Sequence, residues 1–233
     1  MASSKPINAG FTLIELLMVI AITGILATIA LPAMNRLVAS HRTNNRTDQL
    51  LAMFQFARAE AIRTNKPVLI CPTVIKKNTG ENNNCKTFKD YSDGKGWEGF
   101  LAFNDNNLSG KFDTDDTPLR IVAINQNTDK IKVKMKWGIC APTGNTVSCN
   151  GKFKENDMLA FMPNGQFGLG NGTDSANWQI GTSNVTIEIS DAVYKDDIKR
   201  RIVISPSGRP IVCYGNSKNN SASASQFCAA SLT

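Results

Sequence analysis

Between Phe11 and Leu31 the chain runs for 21 residues with a single charged side chain, Glu15. At about 1.5 Å rise per residue, a helix of that length spans the roughly 30 Å hydrocarbon core of a bilayer, so the run predicts a membrane-crossing helix. An ordinary secretory signal would have a shorter apolar region, with a small-residue cleavage site behind it, and would leave the carboxylate unexplained. A carboxylate near the end of a membrane helix costs roughly a few kcal/mol unless a cation neutralises it. The run contains no lysine or arginine. The cation must therefore come from another chain or from a newly exposed amino terminus.

Downstream, Met34, Leu37 and Val38 resume the apolar pattern after Pro32, so the helix is expected to continue, with a kink at the proline. HRTNNRTD, His41 to Asp48, has no apolar residue and predicts a solvated neck. Leu50, Phe54, Ala57 and Ala61 then recur at i, i+4, i+7 and i+11, the mark of one buried helical stripe. A helix continuous from Phe11 to Thr64 would run about 80 Å. Lys66-Pro67 ends it, and the period changes to that of strands. These are expected at Val68 to Cys71, Gly96 to Phe103, Leu119 to Ile124, Lys130 to Trp137, Met158 to Met162, Val185 to Ile189, Ile202 to Ser205 and Pro210 to Tyr214. Lys130 to Trp137 is the clearest, because Ile131, Val133, Met135 and Trp137 alternate with lysines. NGQFGLGNGT reads as a turn-rich connection.

About 170 residues lie beyond the long helix, enough for one domain with a sizeable core. Six cysteines, all in that part, suit an oxidising compartment. Six allow 15 connectivities, and the expectation is sequence-local pairing: Cys71 with Cys85, Cys140 with Cys149, and Cys213 with Cys228. Comparing Lys5 with Arg36, Arg42 and Arg46 by the positive-inside rule would keep this part in the cytoplasm. The cysteines place it outside, and that placement is adopted.

The sequence argues against catalysis. It has no GxxxxGK[ST] and no HExxH, and its lone histidine, His41, sits in the polar neck far from any cysteine pair. No cofactor is expected. Asp105, Asn107, Ser109, Gly110, Asp113 and Asp116 follow the spacing of a calcium loop, with Asp in place of the final Glu, but no helix pattern flanks them and such clusters also make ordinary turns. The net charge of +7 and pI near 9.2 favour an anionic partner. Lys132, Lys134 and Lys136 share one strand face, and Arg200, Arg201 and Arg209 lie close in sequence, a set able to meet nucleic-acid phosphates without reading bases. The same lysines also suit a solvated strand face protected against edge pairing.

Gly10-Phe11-Thr12-Leu13-Ile14-Glu15, behind a short leader with Lys5 and ahead of the apolar run, resembles the class III signal of type IV pilins and pseudopilins. QLLAMFQFARAEAIRTNKPVLICP, GWEGFLAFNDNN and VISPSGRPIVC further resemble the FimT/FimU minor pilins and their general secretion pathway protein H relatives. The resemblance implies cleavage by a prepilin peptidase between Gly10 and Phe11, methylation of the Phe11 amine and an assembly contact at Glu15. Gly24 and Pro32 match helix-loosening positions. It implies an α+β pilin-like fold, one long N-terminal helix with a predominantly antiparallel β head. The parts would be a removed leader (1–10), a helix (11–64) with a transmembrane segment (11–31), and the head (65–233).

The expected function is that of a minor type IV pilin supporting pilus assembly or priming, with linked roles in twitching motility, adhesion or natural transformation. Other major and minor pilins and an inner-membrane assembly platform would be its partners, and the head would be periplasmic before assembly and on the pilus surface after it. Two alternatives stay open. One is a DNA-binding competence pilin, since FimT-type relatives bind DNA around a GRxR element; here Gly208-Arg209 is followed by Pro210-Ile211, without the second arginine. The other is a type II secretion pseudopilin.

Overall fold

The computed structural model describes residues 11–73, 85–86, 88, 98–125, 132–143, 146–151, 153, 157–171, 178–182, 184–195, 197–213, 227–228 and 232. Helix α1 runs from Leu13 to Thr64, 52 residues, through Gly24 and Pro32 without a break. Its start is set by Thr12, whose Oγ1 accepts the Glu15 N–H at 3.3 Å. Its end is set by Asn65, which takes the left-handed conformation (φ 53°) that closes many helices, just ahead of Lys66-Pro67.

The chain divides within this helix into two compact units, Met1–Ala39 and Ser40–Thr233. In the first, the large apolar side chains from Phe11 to Val38 are exposed on every side of the helix. In the second, the rest of α1 packs with two antiparallel sheets. One has the order β3(Thr117–Ala123), β2(Gly99–Asn104), β1(Val68–Thr73), β6(Asp157–Phe161), β7(Phe167–Asn171), β8(Gln179–Ile180). The other has the order β11(Pro210–Cys213), β10(Lys199–Ile204), β9(Asn184–Asp191), β4(Val133–Thr143), β5(Thr146–Gly151).

The main core joins Leu50, Met53, Phe54, Ala57 and Ala61 of α1 to alternate residues of both sheets, among them Ile70, Phe100, Phe161, Ile187 and Ile202. Each large side chain buried there contributes about 1.5–3 kcal/mol. β1 lies between β2 and β6 and is buried on both faces, because Leu69 and Cys71 join Leu101, Phe103 and Ala160 in a second cluster on the far side. A third cluster joins Cys140 and Cys149 to Leu232. Disulfides link Cys71 to Cys85, Cys140 to Cys149 and Cys213 to Cys228.

Two sequence expectations are corrected. The neck is not solvated all round: Thr43 and Thr47 are fully buried and extend the helical stripe by about two turns, with the Thr47 hydroxyl bonded to the Thr43 carbonyl at 2.8 Å. An i−4 back-bond hides the hydroxyl and turns the methyl into the contact. NGQFGLGNGT contains strand β7, since Gly168 lies so close to the Gln179 carbonyl that no side chain would fit. β5 and β8 also went without a periodic signal. The parts of the expected strands at Gly96, Trp97, Lys130, Ile131 and Tyr214 lie outside the described residues.

Candidate functional site

The first unit offers a helix surface. From Phe11 to Val38 α1 is apolar all round, which is the pattern of a helix surrounded by lipid or by other helices. Its most apolar stretch reaches a mean hydropathy of 2.4, and by length and composition it can cross a membrane. Thr23 Oγ1 lies 2.9 Å from the Val19 carbonyl and Thr28 Oγ1 lies 2.7 Å from the Ile25 carbonyl, so both hydroxyls are bonded within the helix. Pro32 leaves the Thr28 carbonyl without a backbone donor. Glu15 is the one acidic group of the first turn, a position that the positive end of the helix dipole favours. Thr12 and Glu15 form the T-x-x-E pattern of a capping box, legible in the sequence but not used there. Gly10 lies outside the described residues.

In the second unit the six basic candidates do not form one patch. Lys134 and Lys136 of β4, and Lys132 just before it, are exposed while Val133 and Cys140 are buried. β4 has β5 beside it only from Ile139 onward, so among the described residues the lysine half has β9 alone as its strand partner. Lys136 stands opposite Glu188, which stands opposite Arg201. Arg201 is engaged: its guanidinium meets Glu188 at 2.6 Å and donates to the Cys228 carbonyl at 2.7 Å. Arg200 is half-buried and donates to the Lys199 carbonyl at 3.0 Å. The expectation that these two arginines offer open phosphate contacts is therefore corrected for Arg201, whose charge is already paired. Arg209 stands elsewhere, on the turn between β10 and β11.

The Asp105–Asp116 loop is closed by its own hydrogen bonds. Asp105 accepts the Ser109 and Gly110 N–H groups at 3.0 and 2.9 Å, and Asp116 accepts those of Asn106 and Asp113 at 2.9 and 3.0 Å. Burial holds both carboxyls above the ordinary carboxylate range, while the hydrogen bond from the Asn107 amide draws Asp113 below it. Among the described residues no group of three or more His, Cys, Asp or Glu side chains could hold a metal ion. Aspartates that serve backbone N–H groups in this way are turn makers.

Two turns meet beside α1. Gly165 (φ 80°) and Gly208 (φ 73°) both need the left-handed conformation, and a Cβ at Gly208 would fall on the Gly165 carbonyl oxygen. Arg58 Nε donates to that same oxygen at 3.3 Å, and the Phe167 N–H donates to the Pro206 carbonyl at 2.9 Å. The glycine therefore fixes where the next residue, Arg209, projects. Arg58 and Gly165 carry no sequence signal of this role, because they lie 107 residues apart.

Two family models match the chain: Type II transport protein GspH over residues 46–208, and Prokaryotic N-terminal methylation motif over residues 6–31. Among solved structures, the chain is similar to two crystal forms of the type IV minor pilin FimU of Pseudomonas aeruginosa strain PAO1. One is 18% identical with a TM-score of 0.43, covering 78% of this chain and 95% of that one. The other is 19% identical with a TM-score of 0.41, covering 77% and 98%. No curated protein matches.

Proposed function

This chain belongs to the GspH family, whose members are structural pilin-like proteins and not enzymes, and from that membership we propose that it is a minor subunit of a type IV pilus. The observation that carries the reading is the pairing of a methylation-motif segment, residues 6–31, with a helix that exposes apolar side chains all round from its capped first turn. Such a helix is soluble only in lipid or among its own kind.

In this reading residues 1–10 are a leader removed by a prepilin peptidase between Gly10 and Phe11, and the Phe11 amine is then methylated. Residues 11–64 are the assembly helix and 65–233 the head. The head stays periplasmic, where three disulfides form, until an inner-membrane platform passes the subunit into the filament. Glu15 is tolerated in the bilayer edge at a cost of roughly a few kcal/mol, which a cation on a neighbouring pilin relieves. The anchor then exchanges lipid for neighbouring helices. Loosening at Gly24 and Pro32 lets it fit them. The role is to support assembly or priming, with twitching motility, adhesion or natural transformation as consequences.

A second reading, a type II secretion pseudopilin, is supported by the family that matches residues 46–208. A deletion strain scored for piliation and for protein secretion separates the two. Loss of piliation with normal secretion is the expected result, and normal piliation with failed secretion overturns the pilus assignment.

A further inference from the structure

A groove of about 460 Å³ opens between α1 and β11, bounded by Arg58, Ala59 and Ile62 on one side and by Arg209, Pro210 and Ile211 on the other. Three observations bear on what it takes. First, its chemistry is one-sided: two arginines and no carboxylate line it. Arg58 is held by the Gly165 carbonyl, and Arg209 is exposed on the turn next to Gly208, so both arginines stand at the rim beside the paired glycine turns. Second, Ile62 and Ile211 are 51% and 39% exposed, two of the few large apolar side chains left open to solvent in the unit Ser40–Thr233. They face one groove. Third, β11 is an edge strand whose first residue, Pro210, has no N–H to donate, which makes strand addition a poor way to fill the site.

We propose that this groove docks a different pilin-like subunit, not a second copy of this chain, through a segment carrying an aliphatic side chain flanked by carboxylates, the aliphatic group entering between Ile62 and Ile211 and a carboxylate meeting Arg209. The proposal rests on the structural pilin reading but names a surface of the head, independent of the N-terminal helix. Charge complementarity selects the partner, because a bidentate arginine-to-carboxylate contact beside a desolvated aliphatic anchor gives both direction and affinity. A nucleic acid suits the groove less well: its lining has aliphatic side chains and no aromatic ring on which a base could stack.

The test uses the full chain in lipid nanodiscs and fluorescence anisotropy of short labelled peptides. The probes are an alternating Asp/Leu peptide, an Asp/Ser peptide, a Lys/Leu peptide and a thymidine oligonucleotide. The expected result is binding of the Asp/Leu peptide, weakened about tenfold or more by Arg209→Ala and likewise by Ile62→Ser. Both residues are exposed, and unchanged tryptophan fluorescence would show each variant folded. The proposal is overturned if the Asp/Ser or Lys/Leu peptide binds as well as Asp/Leu, if neither substitution matters, or if only the oligonucleotide binds through Arg209. Self-association of the chain that is lost in Arg209→Ala would put a second copy in the groove and overturn assignment to a different subunit. A subunit that fails to enter filaments yet binds the peptide would separate failure of the pilus reading from failure of the groove.

Discussion

Gly208→Ala, set beside Gly165→Ala, asks whether the junction of the two turns depends on close backbone approach or on conformation alone. Both glycines adopt left-handed φ, which costs an alanine about 1–2 kcal/mol. At Gly165 a new Cβ would meet only side-chain ends, Arg58 Nη2 at 3.3 Å and Ile62 Cδ1 at 3.5 Å, which can move aside. At Gly208 it would meet the Gly165 carbonyl oxygen, so a whole turn must shift. That shift strains the Phe167 to Pro206 hydrogen bond of 2.9 Å and overpacks the site, adding about 1–3 kcal/mol. Gly208→Ala should therefore lose about 2–5 kcal/mol and Gly165→Ala about 1–2. The assay is urea unfolding of the full chain in detergent, followed by tryptophan fluorescence, with Trp137 packed 5.4 Å from the Phe100 ring as a reporter. Equal losses in the two variants would refute the close-approach argument.

Two further predictions concern the same unit. Cys213→Ser with Cys228→Ser opens a link of sequence separation 15 and should cost about 3 kcal/mol, while also loosening the Arg201 contact to the Cys228 carbonyl; urea midpoints and amide exchange near Leu232 measure both. For Asp105 and Asp116 the folded pKa lies above the unfolded one, so the folded state binds protons more readily and their contribution to stability grows as pH falls from about 7 through the folded pKa. The stability gap between the wild type and Asp105→Asn should widen from about pH 7 to about pH 4, and a narrowing gap would show that burial is not what shifts Asp105.

The chain's architecture was legible wherever one periodicity dominated. The uninterrupted apolar run fixed the exposed half of α1, and the alternation of Val133, Met135 and Trp137 with lysines marked the inner and outer faces of β4. It failed where chemistry and residue type part company. Thr43 and Thr47 read as polar but are buried; a helical carbonyl absorbs the Thr47 hydroxyl, whereas the Thr43 hydroxyl is buried without a hydrogen-bond partner among the described residues. Gly168 and Gly170 read as turn residues but sit in β7, where the Gln179 backbone leaves no room for a side chain at Gly168 and the Trp178 ring packs closely on Gly170. For the candidate sites, spacing brought out the basic residues but not their pairing. Arg201 is spent on Glu188 through a cross-strand register that sequence distance does not reveal. The groove between α1 and β11 joins residues nearly 150 positions apart, and nothing local announces it.

If the exposed N-terminal helix is an assembly element, its single carboxylate needs a partner in a neighbouring subunit. The direct measurement is the fate of Glu15→Ala in the cells that make this chain, by mass of the membrane-bound form and by quantitation in sheared filaments. Normal removal of residues 1–10 is expected, because the bond between Gly10 and Phe11 is unchanged, together with loss of the subunit from filaments. Glu15→Ala found in filaments at the wild-type level would contradict it.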